Sequence, residues 1–256
     1  MTQVLFRESL AEDGEAAICA EYFNVVTRRR DLQPNLVIGR YSVLPYYREL
    51  EDDIDGKLIN SYAQHRWIAN FDYYDAVRPY TPETWDESNF YSCNHPGPFV
   101  VKGKTNSKKF HWNETMFATD KRAAMHVACK LHEDMYLGDQ GVIFRKYCPL
   151  RTYETGLYGL PFANEWRVFC YRENILSRGY YWSCASDDAK AMATWGGESL
   201  VKTLMPIVSK HVNFYVLDVA ETIDGDWILI EINDGQMSGL SENDPNILYS
   251  NLARYV

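Results

Sequence analysis

Apolar residues fall in short blocks separated by polar turns, and the spacing inside each block indicates the element it forms. Asn35 to Val43 (NLVIGRYSV) is a short apolar run ending before Pro45, and it predicts a buried strand. Tyr62 to Tyr74 mixes aromatics with His65, Arg66 and Asp72, and Thr81-Pro82-Glu83-Thr84 predicts a capped helix start with Pro at the first helical position. The opening third of the chain therefore reads as mixed α/β.

His95-Pro96-Gly97-Pro98 is a turn signal that places a boundary near residue 92. A strand, Phe99 to Lys104, and a polar loop, Thr105 to Lys109, follow it. Ala124, Val127, Ala128 and Leu131 recur at helical spacing, which predicts a helix over about 120–134. Val142-Ile143-Phe144 is a strand candidate, and Glu165 to Tyr171 with Ile175 to Trp182 predict a hairpin. Residues 186–211 have helical composition, interrupted at Pro206.

Two β-rich runs then flank Asp224-Gly225, a dipeptide that favours a tight turn: FYVLDVAETI and WILIEIN. With Asp224 and Gly225 at the turn centre, Ile223 faces Asp226, Leu217 faces Ile232 and Val219 faces Ile230, which gives one apolar surface. The other surface carries Asp218 opposite Glu231, with Asn233 two residues further on. Two carboxylates so opposed repel, and a cation removes the penalty. Asp, Glu and Asn offer only oxygen ligands, the chemistry of Mg2+ or Mn2+ shared with a phosphate rather than of zinc. Two hydrated acids on an exposed hairpin face are the alternative.

Charge sharpens this picture. The 256 residues carry a net charge of -9, which argues against a nucleic-acid partner. The balance is uneven: residues 1–90 hold 9 basic and 16 acidic side chains, residues 91–130 hold 7 and 2, and residues 131–256 hold 10 and 17. A basic island upstream and a carboxylate face downstream are the two components that hold a metal-nucleotide polyphosphate. No GxxxxGK[ST] element and no GxGxxG opening a helix is present.

Other features carry less chemistry. No uncharged apolar run approaches the ~20 residues that span a bilayer. Arg7 and Glu8 stand where a signal peptide needs its apolar segment, so a cytoplasmic protein with no membrane association is expected. The six cysteines are scattered without a CxxC pair and are expected to be reduced and mostly buried. The six histidines form no ligand-spaced group, and core, surface or supporting roles are expected of them. Arg28-Arg29-Arg30 reads as a solvated charge run, with reception of an acidic substrate as the alternative.

The order of elements resembles the ATP-grasp superfamily, and more narrowly its phage and bacterial members, over about residues 95–240. The resemblance rests on a strand ending in lysine (VVKGK, Lys102 and Lys104), a polar loop (TNSKKF), a helix, and a hinge strand (GVIFRKY). An ExR strand follows (NEWRVF, Glu165 and Arg167), and the D…ExN hairpin comes last. It implies an α+β ATP-grasp fold in which two α+β lobes clasp a nucleotide. A pre-ATP-grasp α/β domain occupies residues 1–92 and the ATP-grasp domain 93–256, with an N-lobe of about 93–140 and a C-lobe of about 141–256.

By the same resemblance, Asp218, Glu231 and Asn233 coordinate Mg2+ (or Mn2+) on ATP. Lys102 contacts phosphate, with Lys104 and Glu165 also on the cofactor side, and the main chain around Arg145, Lys146 and Tyr147 reads the adenine edge. Arg145-Lys146 stands where many members carry a Glu, and the polar loop lacks a glycine pair, with Lys108 and Lys109 able to substitute by charge. Arg167 suits the transferring phosphoryl because it is a planar bidentate donor, and an ion pair with Glu165 is its alternative. Lys102 and Arg167 are thus the expected catalytic residues. The implied reaction is carboxylate-amine ligation through an acyl phosphate, the amine being an amino acid, a peptide or a protein terminus. A small-molecule kinase and a non-catalytic nucleotide-binding or interaction protein are the other readings.

Overall fold

The computed structural model describes residues 2–8, 14–54, 57–134 and 141–256. Strands β1 (Gln3–Phe6), β2 (Asn24–Val26) and β3 (Val37–Arg40) form a parallel sheet in the order β2-β1-β3, with helix α1 (Gly14–Cys19) crossing between β1 and β2. Every residue of β1 and β3 is buried, which is why the sequence there reads as a continuous apolar run. Even Arg40 is fully buried. It is satisfied by Glu15 at 2.6 Å and by the Gly235 carbonyl at 2.5 Å. Helices α2 (Tyr47–Asp53), α3 (Tyr62–Ala69) and α4 (Tyr74–Val77) follow, α3 opening on a capping box between Ser61 and Gln64.

Strands β4 (Thr84–Asp86), β5 (Phe99–Gly103), β6 (Phe117–Ala118) and β7 (Val142–Lys146) make an antiparallel sheet in the order β4-β7-β5-β6. Helices α5 (Trp112–Thr115) and α6 (Lys121–His132) belong with it. Asp120 caps α6 by accepting the Ala123 N–H, and Ala124, Val127, Ala128 and Leu131 face the sheet as their spacing predicts. The helix start expected at Thr81 does not form. Thr84 to Asp86 is drawn into the sheet by β7 instead, with the Trp85 ring set edge-on against Phe90 and Phe99. Packing of one large aromatic thus overrides a local capping signal. The lobe boundary expected near residue 140 lies outside the described residues.

A ribbon of β8 (Thr152–Thr155) and β9 (Pro161–Ala163) leads into the second antiparallel sheet. It is built from β10 (Glu165–Tyr171), β11 (Asn174–Tyr180), β12 (Phe214–Glu221) and β13 (Trp227–Asp234) in the order β11-β10-β12-β13. Helices α7 (Asp187–Met192) and α8 (Glu198–Val208) lie between β11 and β12 in sequence. α8 packs Val201, Leu204 and Val208 on Leu217, Val219, Leu229 and Ile232. It runs through Pro206 rather than breaking there, because the missing N–H falls in the last turn and the buried stripe continues to Val208. On the other face Phe169, Phe214 and Val216 meet Val4, Ile38 and helix α9 (Pro245–Leu252). The six thiols are free, but only Cys19, Cys93 and Cys170 are buried.

The hairpin β12–β13 differs from its simplest register in two places that cancel. Thr222 donates its N–H to the Asp226 carbonyl, so the turn holds three residues and Gly225 takes a φ of 89°. Val219 therefore faces Leu229, not Ile230. Ile230 is then left over as a bulge, and from there Asp218 faces Glu231 and Leu217 faces Ile232, the pairs expected from a two-residue turn.

Candidate active site

A cleft runs between β5 and β7 on one side and β12, β13 and β9 on the other. Its apolar wall includes Val100, Met116, Leu160, Trp182 and Ile228, and its polar groups include Lys102, Lys109, Arg145, Glu165 and Glu231. A second, wider depression shares Ser107, Lys109, Leu160, Trp182 and Glu231 with the first, and adds Arg167, Asn233 and His65. The two meet at Lys109 and Glu231, so that a small apolar chamber opens into a polar one.

Each predicted metal carboxylate is held by a cation. Lys102 on β5 hydrogen-bonds Glu231 on β13 across the cleft. Arg167 on β10 holds Asp218 on β12, the two residues being directly paired in the sheet. The Asn233 amide donates to Asp218 Oδ2 at 3.0 Å. Burial alone pushes the Glu231 carboxyl upward, but Lys102 and Lys109 outweigh it and hold the group below the usual carboxylate range. The Lys109 ammonium sits 4.1 Å from the Tyr181 ring centroid and donates to the Tyr181 hydroxyl at 2.6 Å.

Glu165 is different. It is 4% exposed, and its Oε1 has no hydrogen-bond partner although it lines the cleft. Burial pushes its pKa up to about 7, against the pull of Lys109. Arg167 does not pair with Glu165, the alternative raised by the ExR spacing, because the sheet register puts Asp218 directly opposite Arg167 and Ala220 opposite Glu165.

Lys102, Arg145, Lys146, Tyr147, Glu165 and Glu231 all line the cleft, while Lys104 does not. Lys104 follows the end of β5 and turns into a separate depression beside Asp86 and Asn89. Arg145 is buried and spans the lobes, donating to the Ile230 carbonyl at 2.6 Å and to Thr81 Oγ1 at 2.6 Å. At the hinge, the Lys146 and Tyr147 N–H groups are spent on the carbonyls of Glu83 and Pro98. Cys148 offers an N–H with no partner among the described residues, so the hinge donor lies one residue beyond the expected span.

The donor set fits a hard divalent cation carried by phosphates. Glu231 Oε2 and Asn233 Oδ1 accept no hydrogen bond from the described residues, whereas both Asp218 oxygens are engaged. Among the described residues no group of three or more His, Cys, Asp or Glu side chains forms a metal cage. A carboxylate and an amide beside a second carboxylate are an incomplete shell, which suits an ion whose remaining ligands are phosphate oxygens and water.

Sequence reasoning passed over two features. The placement of Lys109 was signalled only by the basic island. The pair His65 and Asp234 joins residues far apart in sequence, which no local spacing reveals, with Nδ1 of His65 3.0 Å from Asp234 Oδ2.

Two lobes with antiparallel sheets closing on a lysine-and-carboxylate cleft define the ATP-grasp architecture. Residues 92–252 match the model of an ATP-grasp domain, clade family 3, and the chain belongs to that ATP-grasp family. Solved structures agree on the fold. A RimK domain ATP-grasp protein from Sphaerobacter thermophilus is 14% identical, with a TM-score of 0.60 over 98% of this chain and 99% of its own. The D-cycloserine synthetase DcsG is 10% identical, with a TM-score of 0.60 over 99% of each chain. The macrocyclase MdnC from Microcystis aeruginosa, solved with its precursor peptide MdnA, is 12% identical with a TM-score of 0.58, covering 99% of this chain and 98% of its own. No curated protein matches the chain.

Proposed function

We propose that the protein is an ATP- and Mg2+-dependent ligase that joins a carboxylate to an amine through an acyl phosphate. The observation that carries this reading is the Lys102–Glu231 pair bridging the lobes at the junction of the two depressions. It puts a phosphate-binding cation and a metal-binding carboxylate where the chambers for nucleotide and substrate meet.

The apolar chamber takes the adenine, with the Cys148 N–H as edge donor. Lys102 and Lys109 neutralise the phosphates. Glu231 and Asn233 hold Mg2+, and Asp218, fixed by Arg167, orients the Asn233 amide so that its oxygen faces the ion. Bound Mg2+ supplies charge neutralisation on the phosphate oxygens. Arg167 keeps hydrogens on Nη1 and Nη2 beyond those given to Asp218 and Gly239, and these receive the acyl phosphate in the wider chamber. No protein nucleophile is required, since positioning and charge compensation carry such transfers.

The width of the second depression suits an amino acid, a peptide or a protein terminus as substrate, and MdnC was solved with a precursor peptide on the same fold. Among the described residues no helix is long and apolar enough to cross a membrane. The test is ADP release from Mg-ATP with a matrix of carboxylates and amines. Release that needs both partners supports ligation. Release with a single hydroxyl or carboxylate partner and a phosphorylated product contradicts it.

A further inference from the structure

His65 lies outside the nucleotide chamber and is not used by the chemistry above. Its side chain is only 9% exposed. Its ring stacks on Tyr47, with centroids 4.7 Å apart and planes 27° apart. Asp234 accepts from the Asn60 amide at 2.8 Å and from the Gln236 N–H at 2.9 Å. Those donors favour its ionised form, which can only accept, so the 3.0 Å contact to His65 is donated by Nδ1–H. That tautomer leaves a lone pair on Nε2, which has no hydrogen-bond partner among the described residues, on a ring that lines the substrate depression.

We propose that His65 is the proton acceptor for the incoming amine, with Asp234 as the group that orients it. The inference rests on the ligase reading. An ammonium must lose a proton before it attacks, and the amine nitrogen loses another as the amide forms. The other ionisable side chains of that depression are poorly suited. Lys109 and Arg167 are cations engaged by Tyr181 and Asp218, Glu231 is held by Lys102, and Asp234 is enclosed behind the imidazole. In the step, the amine nitrogen bonds to the acyl carbon and the C–O bond to phosphate breaks, its electrons leaving with the phosphate. The N–H proton passes to His65 Nε2, and the imidazolium, paired with Asp234, returns it to the departing phosphate. Imidazole ends neutral, and the products are the amide and hydrogen phosphate.

The test uses the full chain, with calorimetric Mg-ATP binding as the control. Long-range proton–nitrogen NMR at pH 8 reads the tautomer directly. It should show the His65 proton on Nδ1 in the wild type and on Nε2 in Asp234→Asn. ADP release is then compared with an equimolar pool of the twenty amino acids as carboxylate and either glycinamide or hydroxylamine as amine. Hydroxylamine is already largely unprotonated at neutral pH. His65→Gln should keep Mg-ATP affinity and lose roughly 100-fold or more with glycinamide, but only a few-fold with hydroxylamine. A wild-type proton on Nε2, or equal losses with both amines, overturns the proposal. A wild type that binds no Mg-ATP contradicts the ligase reading itself, and the tautomer still decides the geometry of His65.

Discussion

Arg167 grips Asp218 through two parallel hydrogen bonds, Nε to Oδ1 at 2.9 Å and Nη2 to Oδ2 at 2.8 Å, and the Asp218 side chain is 1% exposed. A carboxylate so buried depends on its partner. Removing the guanidinium leaves an uncompensated charge in the sheet, and Arg167→Ala should lower stability by about 3–5 kcal/mol in urea denaturation. Arg167→Lys keeps the charge but not the fork, and should fall between wild type and Arg167→Ala. Equal stability of all three proteins would show that Asp218 is hydrated.

Lys102 and Glu231 make the corresponding pair across the cleft. Glu231→Gln should weaken ATP binding when Mg2+ is present and change it little when Mg2+ is absent, because it removes a metal ligand and frees Lys102 for phosphate. Lys102→Ala should raise the Kd for Mg-ATP by about 10- to 100-fold, the worth of one charge-assisted hydrogen bond. Titration calorimetry of both variants checks this, and unaltered affinities would reduce the pair to a structural link between lobes.

Glu165 gives the protein a pH dependence with a definite sign. Its pKa is raised from 4.5 to about 7 in the folded state by burial, so folding favours the protonated form. The stability it contributes is present below about pH 4.5 and is lost as pH rises through 7, a difference of order ~3 kcal/mol. Glu165→Gln removes the titration. The stability difference between variant and wild type, both without nucleotide, should grow from about pH 5 to about pH 8, and a constant difference would contradict a buried, unpaired carboxyl.

Gly225 closes the hairpin that carries Asp218 and Glu231. Its φ is 89°, yet a Cβ there would meet nothing within 4 Å. The cost of Gly225→Ala is therefore one of backbone conformation alone, about 1 kcal/mol in denaturant unfolding.

The same hairpin shows how far the sequence reaches. The period of two along a strand makes Asp218, Glu231 and Asn233 share a face whatever the turn, so their grouping was legible. Their register emerged correctly although the turn holds three residues, because the bulge at Ile230 cancels the shift. The bulge itself was not legible, and with it went the role of Arg145, whose Nη1 reaches the Ile230 carbonyl. Lys102 could be read from its strand, whereas Lys104, two residues on, leaves the sheet once β5 ends at Gly103. The strand at Thr84 was hidden by a valid capping pattern, since only the packing of Trp85 decides against a helix. His65 and Asp234 needed the tertiary fold, which brings α3 to the free edge of β13.

Lys102 and Glu231 exchange partners when the nucleotide binds. They neutralise each other until phosphate takes the lysine and the metal takes the carboxylate, so each ligand frees the group the other leaves behind. Calorimetric titration of the protein with ATP, with and without Mg2+, measures this exchange. Weak binding is expected of ATP alone and of Mg2+ alone, with the two together binding at least roughly tenfold tighter than free Mg-ATP complexation explains. ATP affinity that is independent of Mg2+, or no binding under either condition, would contradict the exchange.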